Sequence, residues 1–356
     1  MASDGGIRKA MNVADVEKIK SSAVYTGRIN KIMYAIFLVL ALSFIVFVVI
    51  VAFAVANAGI GKVVETVESV NLYYLSAAFA VIFISYVFRY PKWEQYMKKL
   101  KVKISRKKNF MIYMSMYSMD ITPGRWGRAV VSYTINRLTG VKFARTFPAV
   151  VADIFTDFLG FAVLTVSMAF LVQKFELFSI ALTITLLIPF IFIYTKRLFK
   201  FFKRRIGHVR FLRALFDNGG VYFRYNKLLD KKVYIYSMLF TIPSMFINGF
   251  ALYLVVLAFG INLGANALPT VLFIYSSSLM IGFLTGLPAT LGATDAALIG
   301  YLTLFFPGSI AFATASLITI FFRIASVWFV EGFGFASLIY SMKYWNAAEG
   351  RTAVAD

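Results

Sequence analysis

Residues 32–56 read IMYAIFLVLALSFIVFVVIVAFAVA, an apolar run with no charge anywhere along it. As a helix it is long enough to cross roughly 30 Å of hydrocarbon. Further runs of this kind are expected to span at 72–90, at 147–172, at a stretch ending near 194, at 233–259 and at 310–342. Composition agrees: 60% of residues are hydrophobic and 15% are charged, against roughly a quarter charged in a soluble domain. The chain therefore reads as an all-α polytopic membrane protein. It is expected to hold about six to eight transmembrane helices, plus one or two re-entrant or interfacial broken helices.

The organisation follows from the same pattern. A tail at 1–31 leads into one membrane domain at 32–342, and a second tail occupies 343–356. The domain divides into halves at 32–200 and 233–342, joined by a basic interfacial segment at 201–232. No cleaved signal peptide is expected, because the first apolar run is too long and follows a mixed-charge segment. The net charge is +21. The basic residues crowd into a few loops, which points to anionic lipid headgroups and the positive-inside rule rather than nucleic acid. By that rule both termini are expected to be cytoplasmic, and the expected location is the plasma membrane. Cysteine is absent and His208 is the lone histidine, so no metal site and no cofactor are expected. Residues 268–306 read either as two crossings or as one hairpin entering from outside; the short second arm favours the hairpin.

Two segments break the apolar grammar. The first, DITPGRWGRAVVSYTINRLTG, runs from Asp120 to Gly140. Thr122 is suited to cap a helix, with Pro123 at its first position. Arg125 and Arg128 then fall three apart, on one face beside an anion-friendly helix N-terminus. Two guanidiniums there suit a phosphate or phosphodiester. Gly124 and Gly127 would let a ligand or a neighbouring helix approach the backbone, and Arg137 is a further candidate contact. A snorkelling interface helix would also explain these basic residues, and Arg137 and Arg145 fit that description well. The tight Thr-Pro-Gly-Arg-x-Gly-Arg clustering is what singles out a site. The second break, GLPATLGATDAALIG, is interrupted by Gly286, Pro288 and Gly292, with Asp295 in the next short helix. Paired breaks in corresponding places of two halves point to a transporter site, and to an inverted repeat if they enter from opposite sides.

Ionisable residues inside the spans complete the set. Asp153 and Asp157 share a face at i, i+4 spacing. Arg323 and Glu331 lie in the last span. Such groups are costly in hydrocarbon, so they pair or face a wet cavity. Asp153 or Asp157 pairing with Arg323 or Arg137 is the simplest structural account.

At these residues the chain resembles the membrane domain of lysylphosphatidylglycerol synthases and the stand-alone flippase-like proteins related to it. The resemblance covers roughly residues 30–342. The family's P-x-R-x-G-E signature reads Pro123-Gly124-Arg125-Trp126-Gly127-Arg128 here, followed by Arg137 and Thr139-Gly140-Val141. Its E-R-x-x-D reads Asp153-Ile154-Phe155-Thr156-Asp157. Its late P-x-x-x-G-x-R-E-A-A-L is matched by Pro288 to Gly292, then Ala293-Thr294-Asp295-Ala296-Ala297-Leu298. The last helix carries Arg323, Trp328 and Gly332. An acid is replaced at Arg128, and two family arginines are replaced at Ile154 and Thr294, so the charge network is expected to be rewired.

The resemblance implies movement of an anionic lipid between leaflets, either a phospholipid or a polyprenyl-phosphate sugar, and not an enzyme. In that reading Thr122, Gly124, Arg125, Gly127, Arg128 and Arg137 bind the lipid phosphate, while Asp153, Asp157, Asp295, Arg323 and Glu331 pair, gate or couple to protons. Expected partners are anionic membrane lipids, enzymes of a lipid-linked sugar pathway and a second copy of the chain. No attached transferase domain is expected. An integral-membrane enzyme acting on lipid headgroups and a non-transporting scaffold for a glycosyltransferase are the alternatives.

Overall fold

The computed structural model describes residues 45, 48–53, 55–120, 122–194, 230–261, 263–264, 267–287, 290 and 292–352. Every regular element among them is helical. Five helices are long and apolar enough to cross a membrane, or six if the bent pair at 48–58 and 60–68 counts as one. The tail at 1–31, most of the run at 32–56 and the linker at 201–229 with its His208 lie outside the described residues.

Helix α1 spans Ile60–Glu68. Helix α2 spans Leu72–Phe88 and starts where Asn71 accepts a hydrogen bond from the Tyr73 amide, a side-chain cap for one unpaired N–H. The expected span ends near Tyr90, but the chain stays helical through Arg89 into α3, Tyr90–Lys99. A proline inside the first turn of α3 loses only an N–H that has no partner there. The start of the supposed basic loop is thereby a buried helix.

Next comes a hairpin of two short helices, α4 (Arg106–Ser115) and α5 (Val130–Thr139), about 15 Å each. Its vertex is built of 3-10 turns at Met116–Met119 and Pro123–Ala129. Met116, Tyr117, Ser118 and Met119 are all buried, so the vertex sits inside protein rather than on a membrane surface. Helix α5 stops at Gly140, whose φ of 70° is left-handed, a conformation that glycine adopts without penalty.

Helix α6, Phe143–Val172, and helix α8, Lys231–Ala258, are the longest uninterrupted α-helices among the described residues, with α7 at Glu176–Tyr194 between them in sequence. Helices α2 and α6 both pack along α8. Helices α9 (Ala267–Thr285) and α10 (Ala293–Phe305) flank the second break. At about 20 Å, α10 is shorter than the roughly 30 Å hydrocarbon thickness. The last span begins as α11, Phe312–Arg323, passes through a π-helical turn at Ile324–Trp328 and continues as α12, Phe329–Thr352. Helix α12 lies against the first hairpin and its vertex. The approach is very close: a Cβ at Gly334 would collide with the Ser118 backbone nitrogen.

Candidate functional site

Both breaks open onto one cavity. Tyr117, Asp120, Thr122 and Arg125 line it from the vertex of the first hairpin. Phe283, Gly286, Leu287 and Thr290 line it from the second break, and Arg323, Val330 and Glu331 from the last span. Arg89 and Tyr86 close a third side, with Asn248 and Tyr275 behind. The cavity volume is about 70 Å³. One water needs roughly 10–15 Å³ by that measure, so several waters or one small headgroup fit.

Behind the cavity lies a knot of buried charge. Asp153 and Asp157 share a face of α6, as their spacing requires, and meet cations from two directions. Lys92 Nζ stands 2.8 Å from Asp153 and 2.9 Å from Asp157. Arg128 Nη1 stands 2.7 Å from Asp153 and 3.0 Å from Asp157. The other edge of the Arg128 guanidinium grips Asp120 with two parallel bonds, one of them 2.7 Å long from Nη2. Bidentate pairs of this kind fix geometry as well as energy. Arg89 and Arg125 reach the same Asp157 oxygen at 3.3 and 3.4 Å. Four cations thus face three carboxylates, leaving one positive charge in excess beside the cavity.

This geometry divides the two arginines of the first motif. Arg128 is fully buried and spends its donors on three aspartates and the face of Tyr117. It organises the site and is not open to a ligand. Arg125 keeps a longer reach to Asp157 and Asp120, lies 4.7 Å over the Phe283 ring and lines the cavity. The expected α-helical first turn is a 3-10 turn instead. In it Arg125 takes a φ of 60°, an unfavourable conformation for a side-chain-bearing residue that turns it away from the Arg128 register.

Other expectations need correction. Thr122 holds the expected N-cap position and lines the cavity, but its hydroxyl is spent locally: it accepts from the Gly127 amide at 2.7 Å and donates to the Met119 carbonyl at 2.8 Å. Gly127 is small because a Cβ there would meet Thr122 at 2.6 Å, not to admit a ligand. Gly124 and Pro123 lie within the 3-10 turn. Arg137 is exposed on α5, stacked on Tyr133 and away from the cavity. The partners of Asp153 and Asp157 are therefore neither Arg137 nor Arg323. Arg145 donates to the Leu100 carbonyl at 2.7 and 3.0 Å, which pins a helix end.

At the second break, Gly292 sits at φ 77° and begins α10. Asp295 Oδ2 accepts from the Gly292 amide at 2.9 Å, and Arg323 Nε stands 2.7 Å from Oδ1. One carboxylate thus caps a helix and holds the last span to the break. Pro288 lies outside the described residues. Glu331 is 5% exposed, and its Oε1 has no hydrogen-bond partner among the described residues.

The residues missed from sequence are Arg89, Lys92 and Asp120. Arg89 and Lys92 stand three apart at the end of an apolar helix, and two aspartates in α6 demand countercharges; that was the available signal. No group of three or more metal-ligating side chains occurs among the described residues.

The family described as the lysylphosphatidylglycerol synthase TM region matches residues 37–334. A UPF0104 membrane protein of Methanothermobacter thermautotrophicus is 23% identical over 292 residues, covering 73% of this chain and 82% of the relative.

Proposed function

We propose that this chain, which belongs to the lysylphosphatidylglycerol synthase membrane-region family, moves a phosphate-bearing anionic lipid between leaflets. The observation that carries the reading is the position of Arg125 and Arg89. Both line the cavity on which the two broken elements converge, and the cluster they belong to holds four cations against three carboxylates. A site with one surplus positive charge suits a single phosphodiester or phosphate ester. Broken helices at the meeting of two halves are a known way to build a transport site, and facing hairpins are what an inverted repeat would produce.

In this reading Arg125 and Arg89 receive the phosphate, and Tyr86, Tyr275 and Asn248 meet the remainder of the headgroup. Lys92 and Arg128 hold the aspartates so that the two cavity arginines stay poised. No bond in the lipid is made or broken. The basic loops face the cytoplasm, in the cell membrane, and the lipid itself is the partner.

Reconstitution into liposomes tests the proposal, with a labelled phosphatidylglycerol in one arm and a labelled polyprenyl-phosphate sugar in the other. Wild-type protein is expected to move at least one of them much faster than Arg125→Ala does. Equal rates for the two proteins in both arms would remove the reading. A covalently altered lipid recovered from either arm would replace it with an enzyme.

A further inference from the structure

With Glu331 ionised, the surplus positive charge of the cluster at Asp120, Asp153 and Asp157 is cancelled, because Arg323 and Asp295 offset one another. Five cations (Arg89, Lys92, Arg125, Arg128, Arg323) stand among five carboxylates (Asp120, Asp153, Asp157, Asp295, Glu331) in the described residues. Nine of the ten are joined by ion pairs. Glu331 is the exception. Its side chain lines the cavity, is more than nine-tenths buried, and leaves Oε1 without a partner. Arg323, the cation on its own span, is engaged by Asp295. The chain bends its hydrogen bonding at the π-helical turn of Ile324–Trp328, between Arg323 and Glu331, and such turns recur at functional sites.

A monoanionic lipid entering this cavity would add a negative charge to a balanced cluster in a low-dielectric setting, which is costly. One positive charge must enter with it. Glu331 is the group placed to take that charge, because every other carboxylate is already committed to a cation. We propose that Glu331 is a proton-binding site, and that one proton crosses the membrane with each anionic headgroup. The proton comes from water on the side where the lipid enters, rests on the carboxylate while phosphate occupies the arginines, and leaves with the lipid. The inference rests on the transport reading above.

The surroundings of Glu331 fit that exchange. Tyr86 and Arg89 face the cavity from the α2–α3 helix, and Tyr275 from α9. Tyr117, Asp120 and Arg125 face it from the hairpin vertex. Arg125 and Arg89 supply the phosphate contact, while Asp120 is held by Arg128 and so is not free to take the proton instead.

The test uses the full chain in proteoliposomes, with tail-labelled phosphatidylglycerol as the lipid and a trapped pH dye. Wild-type lipid movement is expected to carry about one proton per lipid and to ignore an imposed potassium-diffusion potential, because the pair is electroneutral. Glu331→Gln keeps the shape and removes the titration. It is expected to move lipid without protons and to respond to the potential. Wild-type movement that responds to the potential without proton flux would overturn the inference and leave the transport reading standing. The same holds if Glu331→Gln carries protons as wild type does. Should that variant be unstable, the wild-type potential response decides alone. No lipid movement by wild type at any pH would overturn both.

Discussion

Lys92 Nζ lies 2.9 Å from Asp157 Oδ1, with the lysine fully buried and the aspartate 2% exposed. Lysine tolerates burial poorly unless paired, so this contact is the pin of the whole charge knot. It ties the α2–α3 helix to α6 at the level where the first hairpin turns. Removing the aspartate strands its cations in the interior, and removing the lysine leaves both Asp153 and Asp157 short of a close partner.

Lys92→Met is therefore expected to cost about 3–5 kcal/mol of stability, the usual penalty for breaking a buried pair. Thermal unfolding in detergent should show a large downward shift. Lys92→Arg keeps the charge but not the compact ammonium between Asp153 and Asp157, and should fall between the two. A Lys92→Met protein as stable as wild type would mean that the knot contributes little.

Arg125 and Arg128 should separate in experiment, although the motif presents them as twins. Arg128→Ala strips the buried Asp153 and Asp157 and the part-buried Asp120 of a partner and is expected to yield poorly folded protein. Arg125→Ala, which removes longer contacts and a side chain that is 17% exposed, should purify normally. A charged hydrogen bond contributes about 1.5–3 kcal/mol, so lipid binding should weaken roughly ten- to a hundredfold. Size-exclusion profiles of both variants, beside lipid binding by Arg125→Ala, check the pair.

The membrane class and most spans were legible because hydrocarbon imposes a length on every helix that crosses it. The expected 147–172 and 233–259 runs correspond to α6 and α8. The two breaks were legible too, since glycine, proline and charge inside apolar sequence need an irregular backbone. What the letters concealed was direction. Arg89 and Lys92 open a run of basic residues that looks solvated throughout, yet the helix continues and turns those two inward. Arg128 looked like a ligand contact because its partner Asp120 stands eight residues earlier, beyond the three- or four-residue spacing at which helical side chains pair. That pairing exists only because 3-10 turns fold the vertex back on itself.

Asp295 and Arg323 offer a coupled test at the second break. Asp295→Asn keeps an acceptor for the Gly292 amide but leaves Arg323 without its carboxylate, so stability should drop. Adding Arg323→Met to that variant removes the stranded charge and should recover much of the loss, as apolar replacement of buried pairs often does. A double-mutant cycle on unfolding midpoints gives the coupling energy. Additive losses, with no recovery in the double variant, would show that the two side chains act separately.

Two glycines on α12 provide the last contrast. Gly334 faces the hairpin vertex, where a Cβ would also come within 2.9 Å of the Tyr117 carbonyl carbon. These are backbone atoms and cannot swing aside. Gly332 has nothing within 4 Å of the same position. Gly334→Ala is accordingly expected to pry α12 from the vertex and cost about 1–3 kcal/mol, typical of overpacking. Gly332→Ala should be neutral or stabilising by up to about 1 kcal/mol, from helix propensity alone. Since the vertex carries Arg125, Gly334→Ala should also slow lipid movement while Gly332→Ala leaves it unchanged. Unfolding midpoints and liposome rates measured on both variants would expose a vertex held in some other way if the two glycines respond alike.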